Sequence, residues 1–258
     1  MSILKAILDD KRAEVTALRA TIDESKLAEL AKKQEAPRPF NQSLNSAPIS
    51  IIAEVKKASP SKGVLVKEFD HCAIAQEFER GGAHALSVLT DKKYFGGDPA
   101  FISQIKAVVG LPVLRKDFII DEYQVIESRA LGADAILLIV AALSREDLGR
   151  LHERARLMGM AVLVETHSRE EIETANSIGA EIIGVNNRDL STFTVTLQTS
   201  IDLRPCIRRD AIAVAESGIT NSRDVRVLRG AGYQAVLVGE SLMTNTNRAA
   251  AVRELIPA

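Results

Sequence analysis

Eight short β-type runs alternate with helical segments along most of this chain, and this repeat constrains the fold more than any other feature. The runs start about 20–35 residues apart, the length of one strand followed by one helix. Several are apolar at consecutive positions, as parallel strands covered by helices are. Eight such units in a row predict an α/β fold, a closed (β/α)8 TIM barrel. The runs are Ile51–Val55, Ala85–Leu89, Pro112–Arg115, Ala135–Val140, Ala161–Glu165, Ile182–Val185, Ile212–Glu216 and Ala235–Gly239.

The segments between the runs carry helix start and stop signals. Ser144 and Ser168 precede helical patterns and have Asp147 and Glu171 three residues later, which is a capping-box spacing. A Gly-Ala pair recurs before several runs, and we expect its glycine to end the helix before the next strand. These pairs are Gly82-Ala83, Gly132-Ala133, Gly179-Ala180 and Gly230-Ala231.

Residues 1–47 do not follow the repeat and are predicted to form an N-terminal helical extension, with the barrel domain over 48–258. Apolar residues from Ile3 to Leu18 lie at roughly helical spacing, and Ser25–Lys33 has a second helical pattern. We expect the extension to pack on one end of the barrel. It serves there either as a structural cap alone or also as a cover over the mouth of an active site.

Length and composition are those of a water-soluble globular protein. The 258 residues fit one α/β barrel, and 46% hydrophobic and 26% charged residues are ordinary values. A net charge of -1 gives no electrostatic reason to expect nucleic acid or an anionic membrane surface as a partner. The start lacks the long apolar segment of a signal peptide, and no run approaches the ~18 apolar residues of a membrane span. The cytoplasm is therefore the expected compartment.

Cysteines and histidines are too few and too scattered to predict a disulfide framework or a metal site. The two cysteines are Cys72 and Cys206, and the four histidines show no zinc-type spacing. We therefore expect no metal.

Polar residues stand at the carboxyl ends of most of the predicted strands, where barrels of this class hold their active sites. Glu54 and Lys56 are two residues apart and should both face the barrel interior. A charged pair directed inward is costly to desolvate and is seldom there for stability. A single polar strand end is usually a solvated rim residue, but so many directed to one mouth predict an active site. The other ends carry Arg115-Lys116-Asp117-Phe118, Glu165, Asn186-Asn187-Arg188-Asp189-Leu190, Glu216-Ser217-Gly218 and Gly239-Glu240-Ser241.

The last two strand ends predict a phosphate site. Ser217-Gly218 follows the seventh run and Gly239-Glu240 follows the eighth, at the positions where barrels commonly bind phosphate. Glycine lets backbone N–H groups approach an anion closely, and a short helix starting near Gly239 would add its positive end. We expect Glu240 to contribute its backbone N–H, with its side chain directed away from the anion.

Six motifs in the same order resemble the indole-3-glycerol-phosphate synthase family. They are IIAEVKKASPSKG (51–63), LRKDFIIDEYQV (114–125), LVETH (163–167), IGVNNRDL (183–190), AESGI (215–219) and VLVGESLM (236–243). The resemblance covers the whole barrel, and the N-terminal helical extension is also typical of the family. It implies a cofactor-free lyase of tryptophan biosynthesis that converts 1-(o-carboxyphenylamino)-1-deoxyribulose 5-phosphate into indole-3-glycerol phosphate, with loss of CO2 and water.

The resemblance also implies roles for individual residues. Lys116 is the expected general acid at the substrate ketone, and Glu165 the acid/base that serves the anilino nitrogen and the departing hydroxyl. Glu54 and Asn186 complete the polar shell, and Lys56 contacts a substrate anion and assists proton transfer. Substrate contacts are expected from Ser59, Ser61, Phe118, Leu137, Arg188 and Leu190, and phosphate contacts from Ser217, Gly218, Gly239 and Glu240.

Many relatives have Ser or Thr at the position of Glu240, so a side-chain hydroxyl contact to phosphate is not expected here. The resemblance implies a small phosphorylated substrate, and we expect a monomer that associates at most with other enzymes of the pathway. Three alternatives stay open. They are a Schiff-base aldolase or thiazole-synthase type with Lys116 or Lys56 as nucleophile, a sugar-phosphate isomerase, and a non-catalytic barrel that senses a phosphorylated metabolite.

Overall fold

A computed structural model of the chain describes residues 3–189 and 192–256. Eight parallel strands close into a barrel in which each pairs with its neighbour along the chain and the last pairs with the first. The predicted barrel is confirmed, and every predicted strand boundary lies within one residue of the observed one. The strands are β1 (Ser50–Val55), β2 (Ala85–Leu89), β3 (Val113–Lys116), β4 (Ala135–Ile139), β5 (Ala161–Thr166), β6 (Ile182–Asn186), β7 (Ile212–Glu216) and β8 (Ala235–Val238).

Helices surround this barrel, and a small antiparallel hairpin, Ala58–Ser59 with Gly63–Val64, follows β1. None of the described helices is long and apolar enough to cross a membrane. Short 3-10 turns cover Val140–Ala142 and Arg204–Cys206. The α-helices of the described residues are α1 (Ile3–Thr21), α2 (Glu24–Lys33), α3 (Phe40–Leu44), α4 (His71–Gly81), α5 (Lys92–Phe95), α6 (Ala100–Lys106), α7 (Glu122–Ala130), α8 (Arg145–Leu157), α9 (Arg169–Ser177), α10 (Gln198–Leu203), α11 (Ser222–Gly230), α12 (Glu240–Met243) and α13 (Arg248–Leu255).

Successive side chains of each strand point to opposite faces, so one set fills the barrel and the other packs against the helices. Ile52, Leu114, Leu163 and Val214 belong to the inner cluster, which is closed off from solvent. Every second side chain continues to point inward as far as the carboxyl ends of the strands. Polar residues replace apolar ones there, so the strand register alone directs several charged side chains into one mouth.

Both predicted N-cap serines are confirmed, but at neither helix does the acidic side chain three residues later complete a capping box. The hydroxyl of Ser144 accepts the backbone N–H of Asp147, and that of Ser168 accepts the backbone N–H of Glu171. The Glu171 carboxylate does not complete a capping box at Ser168. It accepts the backbone N–H of His167 instead, at 2.7 Å, and thereby fixes the chain just after β5.

Three of the four Gly-Ala pairs behave as predicted. Gly82, Gly132 and Gly179 have φ values of 91°, 87° and 75°, the left-handed conformation that ends a helix without steric cost only at glycine. The prediction for Gly230 is wrong, because this residue is still inside α11. Gly232, with φ 95°, takes the left-handed position two residues later.

The N-terminal extension reaches both ends of the barrel, so the expectation that it packs on one end is wrong. Helix α1 lies over the carboxyl ends of the strands, where Ile3, Leu4 and Ile7 line a cavity. Helix α2 packs on the outside against α7. Helix α3 closes the opposite end, since Phe40 and Leu44 join the inner cluster of the barrel. The division into 1–47 and 48–258 stays a prediction.

The plug at the amino end of the barrel yields a stability prediction. Phe40 is 1% exposed, so Phe40→Ala should lower the free energy of unfolding by about 3–5 kcal/mol through lost burial and a cavity. Equilibrium denaturant unfolding measures this. Leu157→Ala is the matched control, because Leu157 is 74% exposed and should change little. Equal midpoints for the two variants would show that α3 does not plug the barrel.

Candidate active site

A cavity of about 550 Å³ opens at the carboxyl ends of the strands, under α1. Every site residue predicted from the sequence lines this cavity, apart from Leu190, which lies outside the described residues. The barrel therefore brings together side chains from positions as far apart as 54 and 240. The predicted residues at its wall are Glu54, Lys56, Ser59, Ser61, Lys116, Phe118, Leu137, Glu165, Asn186, Arg188, Ser217, Gly218, Gly239 and Glu240.

Lys116 lies at the centre of the polar wall. Its ammonium Nζ is 3.0 Å from Glu165 Oε2 and 3.0 Å from Glu216 Oε2. The two carboxylates come from β5 and β7 and are 4% and 1% exposed. A lysine held between two buried carboxylates is both oriented and kept charged, because each carboxylate stabilises the ammonium form.

A second ion pair and an amide complete the polar wall. Lys56 Nζ donates to Glu54 Oε2, so the two residues share the barrel interior as their spacing predicted. Asn186 Nδ2 donates to Glu165 Oε1 at 3.1 Å, and the Asn186 side-chain oxygen accepts the backbone N–H of Arg188 at 3.0 Å. The two oxygens of Glu165 therefore have different partners, Lys116 on one and Asn186 on the other.

The charge states follow from burial and from the ion pairs. Burial alone would lower the pKa of Lys116, but the carboxylates of Glu165 and Glu216 raise it above its usual range. Burial alone would raise the pKa of Glu165, but Lys116 holds it well below its usual range. Burial raises the pKa of Glu216 to about 7, and the negative charge of Glu165 adds to the rise although Lys116 opposes it. The free site thus holds a charged lysine and an ionised Glu165.

Glu216 was recognised from the sequence as a polar strand end but was given no role in the site. Its Oε1 is buried without a hydrogen-bond partner, and a Cβ at Gly184 of the neighbouring strand would lie 2.2 Å from that atom. Gly184 therefore leaves the space that the carboxylate fills. A signal was available, because Glu216 ends β7 in the same inward register that directs Glu165 and Lys116.

His167 is a neighbour of Glu165 that the sequence reasoning missed. Its Nε2 lies 3.4 Å from Glu165 Oε1, and its Nδ1 lies 3.1 Å from Glu171 Oε2. Burial alone would lower the pKa of His167, but the carboxylates of Glu165 and Glu171 raise it to about 10. A charged imidazole beside Glu165 supports the ionised form of that carboxyl.

The loops after β7 and β8 have the geometry of an anion site. Ser217 and Gly218 take φ values of 68° and 78°, and a Cβ at Gly218 would lie 2.5 Å from Val195 Cγ1. Gly239 stands before α12, which has no side-chain cap, and Gly239, Glu240 and Ser241 line the cavity. The first N–H groups of a helix have no partner within it and suit an anion. The Glu240 carboxylate lies 3.6 Å from Lys62 Nζ in the hairpin after β1, and its orientation relative to an anion stays a prediction.

An apolar wall faces the polar one. Leu137 of β4 and the rings of Phe95 and Phe118, with centroids 6.1 Å apart, form one part of it. Helix α1 supplies the rest through Ile3, Leu4 and Ile7. The cavity can therefore hold a ligand with an anionic end and a flat apolar end, with Lys116 between them.

Metal-binding groups are lacking in the part of the chain that the structure describes. No cluster there has three or more His, Cys, Asp or Glu side chains able to hold an ion. Lys116 is the cation that bridges Glu165 and Glu216.

Comparison with solved structures of low sequence identity supports the fold alone. The chain superposes on 3-hexulose-6-phosphate synthase with a TM-score of 0.66 at 14% identity, covering 80% of this chain and 98% of that one. It superposes on thiamine phosphate pyrophosphorylase from Pyrococcus furiosus with a TM-score of 0.62 at 18% identity, covering 82% and 95%.

Sequence relatives are much closer. The family model described as indole-3-glycerol phosphate synthase matches residues 4–255. The indole-3-glycerol phosphate synthase of Chlorobium luteolum is 49% identical over 95% of this chain and 94% of its own length. That of Koribacter versatilis is 46% identical over 99% of both. Because these matches span the extension and the barrel together, the chain belongs to the indole-3-glycerol phosphate synthase family.

Proposed function

We propose that this chain converts 1-(o-carboxyphenylamino)-1-deoxyribulose 5-phosphate into indole-3-glycerol phosphate, the ring-forming step of tryptophan biosynthesis. One observation carries the proposal: Lys116 Nζ is held 3.0 Å from Glu165 and from Glu216 inside the cavity. The reaction needs a proton donor at a ketone and a base close by, and this arrangement offers both. Family membership supports the same conclusion.

The two ends of the cavity favour one orientation of the bound substrate. Its phosphate binds the loops at Ser217-Gly218 and Gly239-Glu240, where the tight turn after β7 and the uncapped start of α12 favour an anion. Its aromatic ring lies against Phe118 and Leu137 at the apolar wall. The ribulose chain between them then passes Lys116. Lys56 and Arg188, with the hydroxyls of Ser59 and Ser61, line the remaining space and contact the substrate anions.

Ring closure is the first chemical step. The ring carbon that carries the carboxylate attacks the ketone carbon, and the ketone oxygen develops negative charge. The Lys116 ammonium stabilises this oxygen and then transfers a proton to it. Because the ring carbon is tethered near the ketone, orientation supplies much of the rate and no covalent electron sink is required.

Decarboxylation and dehydration follow. The bond to the carboxylate breaks, CO2 leaves, and the electron pair restores the aromaticity of the ring. The new hydroxyl then departs as water while a proton is lost from the neighbouring carbon. Glu165 is ionised before reaction, so it enters the cycle as a base that takes a proton at the anilino nitrogen and, as the acid so formed, gives that proton to the departing hydroxyl. The proton lost from the neighbouring carbon then replaces it on the nitrogen. Asn186 orients Glu165, while Glu54 holds Lys56 for a later proton transfer.

The charge of Lys116 favours acid catalysis over the aldolase-type alternative. An imine-forming lysine must be neutral to attack a carbonyl, and enzymes obtain this by lowering the lysine pKa. The pKa of Lys116 is raised instead, since burial is outweighed by Glu165 and Glu216. We therefore infer a proton donor at this position. The isomerase and sensor alternatives lose their support with the family assignment.

The partners, the compartment and the oligomeric state are proposed from the sequence. A net charge of -1 supports the expectation of no nucleic-acid partner. We expect a cytoplasmic monomer that works without metal or cofactor, and any association with other enzymes of tryptophan synthesis stays a prediction.

A direct assay tests the proposed activity. Purified chain incubated with the carboxyphenylamino-deoxyribulose phosphate should produce indole fluorescence, and the background is low because the chain has no tryptophan. The dephosphorylated substrate should show kcat/KM lower by at least ~10²-fold, because remote phosphate binding positions the reacting centre. Absence of indole product would refute the proposed activity, and equal use of both substrates would refute the phosphate site.

Glu165→Gln tests the acid/base assignment. The amide keeps the shape of the side chain but cannot accept a proton, so kcat should fall by at least ~10²-fold while KM changes less. The matched control is Glu170→Gln, an exposed carboxylate near the start of α9, which should keep normal turnover. A folded Glu165→Gln protein with a near-normal rate would remove Glu165 from the mechanism.

A further inference from the structure

Helix α1 carries a lysine that is buried although the helix lies on the outside of the barrel. Lys11 is 1% exposed. Its Nζ lies 2.9 Å from Glu14 Oε2, 3.0 Å from Asp91 Oδ2 and 2.9 Å from Asp117 Oδ1. Asp91 and Asp117 follow β2 and β3, so one ammonium joins the extension to two active-site loops.

Both aspartates lead directly to the wall of the cavity. Asp117 comes next after Lys116 in the chain, and its Oδ1 accepts the backbone N–H of Phe118 at 2.8 Å. Asp91 caps α5 by accepting the backbone N–H of Tyr94 at 2.7 Å, and α5 ends at Phe95. Through these two carboxylates Lys11 is linked to both rings of the apolar wall.

Asp91 depends on Lys11 for its positive partner, whereas Asp117 has a second one. Asp117 is also paired with Arg115 at 3.2 Å, and Arg115 is shared with Glu127 at 2.7 Å. Asp91 forms its ion pair with Lys11 and with no other lysine or arginine among the described residues. Burial alone would lower the pKa of Lys11, but the carboxylate of Asp117, then Glu14 and Asp91, raise it above its usual range.

A second link between α1 and α5 is exposed and therefore weak. Asp10 pairs with Lys93 at 2.7 Å and accepts the hydroxyl of Tyr94, but the side chains of Asp10 and Lys93 are 42% and 66% exposed. Solvent screens such a pair. Lys11 therefore provides the buried ionic contact between α1 and the barrel mouth on this side, beside the buried apolar side chains of Ile7 and Leu8.

We propose that Lys11 is a positioning residue for the aromatic end of the substrate. It holds α1 and the loops after β2 and β3 in one arrangement, so that Ile3, Leu4 and Ile7 stand opposite Phe95 and Phe118. This inference rests on the proposed function for the identity of the ligand. It deepens that function, because a residue of the extension that does not contact the aromatic ring positions the side chains that do.

Lys11→Met tests the inference, because methionine keeps most of the length of the side chain and removes the charge. Binding of indole-3-glycerol phosphate, which needs the apolar wall, should weaken at least ~10-fold. Binding of inorganic phosphate, which needs only the loops after β7 and β8, should change less than about 2-fold. Both are measured as competitive inhibition or by calorimetry. Arg12→Met is the matched control, since Arg12 is the next residue of the same helix and its side chain is 62% exposed.

Hydrogen exchange provides a readout that needs no ligand. Amides of residues 3–21 should exchange at least ~10-fold faster in Lys11→Met than in the wild type, while the barrel strands keep their protection. Unchanged exchange in α1, or an equal loss of affinity for phosphate and for the indole ligand, would overturn the proposal. A wild-type chain without turnover would refute the proposed function. The hydrogen-exchange comparison would still test the role of Lys11, because it does not depend on turnover.

A double variant covers the case in which Lys11→Met fails to fold. Lys11→Met with Asp91→Asn removes one cation and one anion, and the introduced amide can still cap α5 through its side-chain oxygen. It should unfold cooperatively near the wild-type midpoint and still show the ~10-fold loss for the indole ligand. Wild-type affinity for that ligand in a folded double variant would overturn the proposal.

Discussion

The ammonium of Lys116, held between the carboxylates of Glu165 and Glu216, is the interaction on which the rest of the site depends. Two buried carboxylates so close together could not both be accommodated without a cation, because desolvation and mutual repulsion oppose their charge. Lys116 keeps Glu165 ionised, and burial moves the pKa of Glu216 to about 7. One lysine thus sets the protonation of donor and base together, which a reaction with several proton transfers requires.

The barrel makes this arrangement possible through small residues at chosen strand positions. Gly184 leaves room for the Glu216 carboxylate, and Gly239 leaves room for that of Glu54, where a Cβ would lie 2.2 Å from Oε2. The N-terminal extension supplies what the strands do not. Its first helix covers the mouth with apolar side chains, and α3 fills the opposite end of the barrel. Polar chemistry and apolar recognition of the ring therefore come from different parts of the chain.

Periodicity was sufficient to predict the strands, since inward residues repeat every second position and the strand ends carry polar groups. It placed Glu54, Lys116 and Glu165 at one mouth correctly. It placed Glu216 at the same mouth but gave it no role, because that role depends on a 3.0 Å contact with Lys116 across the barrel. Nor did it reveal Lys11, which looks like an exposed helix residue until the loops after β2 and β3 fold around it. Helix-ending glycines were predictable except where α11 runs past Gly230 and the left-handed position falls to Gly232.

The central claim is that Lys116 works as a charged proton donor, and its protonation state can be measured directly. Lysine side chains labelled with 13C and 15N report the ammonium form by NMR, and the Lys116 signal is identified by its loss in Lys116→Arg. We predict that, in the free protein, the Lys116 side chain is still protonated when the pH reaches 10.5, the ordinary pKa of a lysine. A midpoint lowered to roughly 7–8, as in lysines tuned to act as bases or nucleophiles, would contradict this claim.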